Sequence, residues 1–187
     1  YPQITLNIKE RDSMQIAQRF EQGYEGLALF THYENSPDTL PQSDTLIIQR
    51  LFDEVDYAAV ALTHPLAAYK SISLKTLLNY PLALYQNGDD DTCLPLEVLK
   101  KFGTPQLYML SDNVSVLEDA AISGHAVTLA PLRALKHHVV FTKPHQVAIL
   151  KIRDYPHILI SSIVSHTYYQ THQPLIDLFV DTFKRIW

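Results

Sequence analysis

Cysteine, glycine and long apolar runs are the scarcest features of this 187-residue chain. A single cysteine, Cys93, excludes an internal disulfide and fits a reducing compartment. With five glycines there is no glycine-rich phosphate loop, and no GxSxG, HExxH or paired zinc-ligand pattern occurs anywhere. No apolar run approaches the roughly 20 residues that span a bilayer, and no basic segment followed by an apolar one marks a signal peptide. Basic clusters are missing too. Lys and Arg total 15 against 20 Asp and Glu, giving a net charge of -5 and a pI near 6.0. A chain so charged lacks the electrostatic footprint of a nucleic-acid surface, so DNA binding, if any, belongs to another part of the molecule. Nine histidines are present, but His137 and His138 are adjacent while His166 and His172 are six apart, neither of which is a zinc spacing. No metal and no cofactor are expected. The first residue is Tyr1 rather than Met, which suggests a piece of a longer polypeptide.

What the chain does have is apolar patterning. With 47% hydrophobic and 19% charged residues it can bury one or two sizeable cores. The stretch 111–131, SDNVSVLEDAAISGHAVTLAP, reads as a polar turn, a helix, a tight exit and a buried strand. Val114, Leu117 and Ala121 share a helical face, Asp112, Asn113 and Ser115 offer capping oxygens, and Gly124 suits the left-handed residue that closes a helix. A helix feeding a buried strand is half of a parallel α/β unit. In such sheets small molecules bind beyond the carboxyl ends of the strands, which makes the turn 111–113 after the strand 107–110 a candidate ligand contact.

The remainder repeats this grammar. Ile4, Leu6 and Ile8 alternate as a strand, Asp12 or Ser13 opens a helix with Ile16, Ala17 and Phe20 inward, Gly23 ends it, and 27–30 reads as a second buried strand. Residues 31–44 form a surface loop, followed by strands at 46–52 and 57–62 with Asp53 and Glu54 as a polar break. A turn at 63–67, a short helix capped by Ser73, a strand at 81–85 and a loop at 86–92 come next. Asp91 or Thr92 is placed to cap the helix at 94–102, and Gly103 to end it. Further strands are expected at 139–141, 147–152 and 158–164. The last helix, 173–187, carries Leu175, Leu178, Phe179, Phe183 and Ile186 at helical spacing.

Three strand-to-helix junctions, at Asp12-Ser13, Asp91-Thr92 and 111–113, carry capping-type residues. Capping explains each alone; together, helix N-termini favour an anionic ligand group such as a carboxylate. The run Asp89-Asp90-Asp91 pulls the other way, as a solvated loop or a selector of cationic or polyhydroxy ligands. Cys93 reads as a buried structural thiol, and Tyr85, Tyr168 and Tyr169 as packing or rim residues.

Four strings resemble the effector-binding domain of LysR-type transcriptional regulators. They are Tyr1-Pro2 with the alternating segment and Glu10, Gly23 with Leu27-Ala28-Leu29, Thr63-His64-Pro65-Leu66-Ala67, and the segment SGHAVTLAP at 123–131. They span nearly the whole chain in the family's order. Gly26 stands where the family usually has Asp, and His125 where it has a second glycine. The family's domain opens with a strand and helix that would precede Tyr1, together with one ligand-contacting loop and much of the dimer interface.

The resemblance implies an α/β fold of two subdomains, of the type II-like periplasmic-binding-protein kind, with a ligand cleft between lobes. Subdomain I is expected at 1–53 plus 157–187 and subdomain II at 54–156. The implied ligand contacts are Ser13, Thr31, Phe52, Gln86, Asn87, Asp91, Thr92, Asn113 and Val114. The implied role is a cytoplasmic, non-enzymatic effector sensor acting as a homodimer or tetramer, with DNA read by a winged helix-turn-helix upstream of Tyr1. Rival readings are a stand-alone solute-binding protein of the same fold and an enzyme built on it, for which no acid/base pair can be placed by spacing.

Overall fold

The computed structural model describes residues 5, 7–9, 11, 13–24, 26–34, 43–86, 93–137, 146–167 and 172–186, with the side chains of Ser13, Met14 and His137 outside the description. The chain divides into two compact units, Tyr1–Phe52 with Ile160–Thr182 and Asp53–Leu159 with Phe183–Trp187.

In the first unit, α1 (Ser13–Glu21) precedes β1 (Ala28–Tyr33) and β2 (Leu46–Glu54), whose last two residues, Asp53 and Glu54, already belong to the second unit. Gly23, at φ 83°, closes α1 as the spacing requires: its amide donates to Phe20 and that of Tyr24 to Arg19, the paired bonds of a Schellman turn. Phe20 of α1 packs with Ala17, Ala28, Phe30 and Val164. The expected burial of 27–30 on both faces is not found. Leu27 and Leu29 are exposed while Ala28 and Phe30 are buried, because β1 is an edge strand of this unit's three-stranded sheet and only one face meets α1. The expected opening strand also fails at the residues described: Thr5, Asn7, Ile8 and Lys9 lie outside any strand, and Ile8 is 87% exposed. Alternation alone does not make a strand without a neighbouring backbone to take its hydrogen bonds.

The second unit is a six-stranded sheet. It comprises β3 (Asp56–Ala61), β4 (Ser71–Ile72), β5 (Pro81–Tyr85), β6 (Gln106–Ser111), β7 (Val127–Pro131) and β8 (Val147–Ile152), in the order β4-β8-β3-β7-β5-β6. The strands β5, β6 and β7 run parallel, and β3 runs antiparallel to both β7 and β8. Parallel strands need crossovers, and the helices supply them: α3 (Leu94–Lys100) between the neighbours β5 and β6, and α4 (Val114–Ile122) from β6 past β5 to β7. As its apolar run requires, β7 is interior, with Val127 fully buried. Leu117 and Ala120 of α4 pack with Ala83 and Ala126, and Gly124 at φ 76° closes the helix with the same Schellman pair seen at Gly23.

Several local readings change. Asp91 and Thr92 lie outside the described residues, and the N-cap of α3 is Cys93, whose side chain makes no capping bond. Strand β2 runs on through Glu54, so the break before β3 is Val55 alone. Val114, assigned to the buried face of α4, is 40% exposed. A helix not foreseen, α5 (Leu132–His137), follows Pro131 directly and buries Leu135 against Ala59 and Ala121. The strand expected at 139–141 lies outside the described residues.

The chain ends with β9 (Leu159–His166) and α6 (Gln173–Ile186). In the first unit's sheet β9 is central, between β1 and β2, and nearly all of its residues are buried. Helix α6 covers that sheet through Ile176 and Val180, which pack on Ile163 and Leu51. Leu175, Leu178, Phe179 and Ile186, expected to face inward, are 40–61% exposed instead.

Candidate functional site

The parallel strands of the second unit bring their carboxyl ends together at Tyr85, Ser111 and Pro131, with Tyr85 registered opposite Ser111. Past the last ladder pair, the Gln86 amide donates to the Ser111 carbonyl at 3.1 Å, which pins the first residue of the 86–92 loop against the turn that begins α4. Within that turn the Asn113 amide donates to Ser111 Oγ at 3.0 Å, and Asn113 Oδ1 accepts the Ser115 amide at 3.0 Å. Asn113 is therefore the N-cap, its backbone extended at φ −91°, ψ 104°. Capping uses only the oxygen of this exposed side chain; among the described residues its Nδ2 donors have no protein partner. The amide arm that a ligand could meet is thus held in place by the arm that caps the helix. Val114, the first residue of α4, stands exposed beside it.

Cys93 sits beneath the same end of the sheet. It is buried, its thiol donates to the Tyr85 carbonyl at 3.3 Å, and burial raises its pKa above the usual thiol value. A protonated, hydrogen-bonded thiol of this kind is a packing group rather than a nucleophile. Two further groups at this end had no local signature in sequence. Asp56 opens β3 in register with Pro131 and is buried, and Glu54 caps α5 by accepting the Arg133 amide at 3.0 Å. The donor and acceptor of that cap are 79 residues apart, so no local spacing announces it.

Of the sequence candidates, Gln86, Asn113 and Val114 are brought together here, while Asn87, Asp91 and Thr92 lie outside the described residues. Ser13, Thr31 and Phe52 belong to the first unit. Ser13 begins α1. Thr31 is exposed but lies inside β1, which runs on to Tyr33, rather than at its carboxyl end as the sequence suggested. Phe52 is half-buried on β2, across β9 from β1. Next to Thr31, His32 has its pKa lowered by burial and then by the Arg50 charge, and Arg50 pairs with Glu34 at 3.6 Å. Among the described residues no cluster of three or more His, Cys, Asp or Glu could hold a metal ion, and no helix is long and apolar enough to cross a membrane.

The profile of the LysR substrate binding domain matches residues 1–186. The chain belongs to this family. Its fold is the type II-like periplasmic-binding-protein fold of those domains, a mixed α/β structure with two sheets. HinK, a LysR family transcriptional regulator from Pseudomonas aeruginosa, superposes with a TM-score of 0.74 at 18% identity, over 99% of this chain and 61% of that one. The reduced OxyR regulatory domain from Pseudomonas aeruginosa gives 0.74 at 18% identity, over 98% and 84%. The CcmR regulatory domain from Synechocystis PCC6803 gives 0.74 at 16% identity, over 97% and 85%. The chain thus spans under two thirds of the HinK polypeptide and 84–85% of the two regulatory domains. No curated protein matches it in sequence.

Proposed function

We propose that this LysR substrate-binding domain is the effector sensor of a transcriptional regulator. A small molecule is received at the carboxyl ends of β5 and β6, and its binding is passed to a DNA-reading segment elsewhere in the polypeptide and through a homo-oligomer in the cytoplasm. The observation that carries this reading is the turn Ser111-Asp112-Asn113, where an exposed amide arm is fixed by capping at the positive end of a nine-residue helix. Such an end stabilises a carboxylate or hydroxyl oxygen through the helix dipole and free donors. Family membership supports the assignment, as do two fold neighbours whose structures hold small molecules: CcmR is in complex with 2-PG, and the QuiR effector binding domain is in complex with shikimate. The net charge of -5 fits a chain that does not itself contact phosphates. A ligand shifts a regulator only by the difference of its affinities for the two states, so the contacts at Asn113 must be better made in one of them.

The test is a thermal-shift screen of small carboxylates and polyols, followed by calorimetry on Asn113→Ala, Thr31→Ala and Cys93→Ala. Losing a donor whose partner stays buried costs about 1–3 kcal/mol, so Asn113→Ala should weaken binding by that amount. Cys93→Ala should leave affinity unchanged. An Asn113 variant that binds like the parent, with Cys93→Ala abolishing binding, would overturn the assignment.

A further inference from the structure

A surface recess lies along α4 beside the edge strand β6. It is a shallow, open depression bordered by Tyr108 and Met109 of the edge strand β6, Val116, Asp119 and Ile122 of α4, and His125 just beyond it. The Tyr108 and His125 rings are parallel, 3° apart in plane with centroids 6.2 Å apart. Ser123 fixes the histidine. Its Oγ donates to the Asp119 carbonyl at 2.5 Å and sits 2.6 Å from His125 Nδ1. A hydroxyl has one proton; when the Asp119 carbonyl takes it, the neutral ring donates from Nδ1 and keeps Nε2 as a lone-pair acceptor. The Asp119 carboxylate pairs with no cation among the described residues, and the last turn of α4 carries no basic residue. The negative end of a helix macrodipole, a free carboxylate, an imidazole acceptor and an aromatic face therefore meet around an apolar floor.

The geometry points to a binding site for a small molecule bearing a guanidinium group, distinct from the turn at Asn113. A guanidinium is planar, stacks on an aromatic face, and holds donors in a fork able to reach a carboxylate and a second acceptor at once. It also supplies the cation that the end of α4 lacks.

The probe is N-ethylguanidinium at millimolar concentration and constant ionic strength, with N-ethylurea as its neutral planar counterpart, read by NMR shifts of the Tyr108 and His125 ring protons and by calorimetry. Saturable shifts at both rings with N-ethylguanidinium, and none with N-ethylurea, are expected. Asp119→Asn should weaken binding by roughly tenfold without lowering its thermal midpoint, the loss expected for one charge-assisted hydrogen bond. Ser123→Ala, which frees the imidazole tautomer, should weaken it less. Equal binding of the two probes, or an Asp119→Asn variant that binds like the parent, would overturn the proposal. Sedimentation separates the other source of this chemistry. If Asp119→Asn alters self-association without any probe present, an arginine of a second copy fills the depression, and a free small molecule does not.

Discussion

The Glu54 carboxylate accepts the backbone amide of Arg133 at 3.0 Å, and the Arg133 Nε lies 3.7 Å from the same oxygen. A residue at the end of β2 thus caps a helix that begins directly after β7, and does so with a charge suited to the positive helix end. Glu54→Ala should lower stability by about 1–2 kcal/mol, the usual worth of an N-cap. Glu54→Gln keeps an acceptor oxygen and should recover part of that loss. Urea unfolding of the two variants checks the order; equal stability of Glu54→Ala and the parent would show that the cap contributes nothing.

His64 caps the 3-10 turn Pro65–Ala68 through Nδ1, which accepts the Leu66 amide at 3.1 Å. That bond exists only while Nδ1 is unprotonated. Burial lowers the His64 pKa from its ordinary 6.5, and burial with the Arg50 charge lowers that of His32. With folded values below the unfolded ones, the unfolded chain takes up protons first as pH falls. The stabilising contribution is complete above 6.5 and is lost progressively as pH drops through 6.5 and then through the depressed folded values. Unfolding free energy measured between about pH 5 and 7.5 should therefore rise with pH. The slope should flatten in a His32→Gln, His64→Gln double variant. A slope that is the same with and without the two imidazoles would count against this origin.

Cys93 gives a chemical prediction. Its thiol is buried, hydrogen-bonded to the Tyr85 carbonyl and shifted toward the protonated form. Since the thiolate is the reactive species, an aromatic disulfide reagent at neutral pH should label the native chain slowly and the urea-unfolded chain fast. Labelling at the same rate in both states would mean that the thiol is accessible in the fold.

Those elements whose signals are local were legible in the sequence. Gly23 and Gly124 each announce a helix exit that only a left-handed residue can make, and both occupy it. Asn113 and Ser73 were readable as caps for the same reason, because a short side chain reaches an amide two or three residues on. What escaped depends on distant partners. Helix α5 is held by Glu54 from 79 residues away and by a pocket that Ala59 and Ala121 line. The alternation at Ile4, Leu6 and Ile8 looked like a strand; Ile4 and Leu6 lie outside the described residues, and Ile8 is outside any strand and 87% exposed. Gln86 and Asn113 were named from the sequence as candidate contacts, but their link through Ser111 is a property of the β5-β6 register, which no spacing encodes.

Helix α6 shows how periodicity can identify an element and still mislead about its face. Leu175, Ile176, Leu178, Phe179, Val180, Phe183 and Ile186 are apolar around more than half its circumference, so a period of 3.6 fits two different stripes. The structure chooses Ile176 and Val180, which are 6% and 2% exposed against Ile163 and Leu51, and leaves Leu175 and Leu178 each 40% exposed. Truncating a buried branched side chain removes its transfer energy and leaves a cavity, so Ile176→Ala should destabilise the chain by about 2–5 kcal/mol. Leu178→Ala loses only partial burial and replaces leucine with the best helix former, so its effect should stay within about 0.5 kcal/mol of the parent. Urea unfolding at protein concentrations spanning a hundredfold range separates the two contributions. If Leu178→Ala proves as damaging as Ile176→Ala at every concentration, the stripe read from the sequence faces the sheet after all. If its cost grows only as the protein is concentrated, the exposed leucines are covered by a second copy and α6 carries an interface on its outer side.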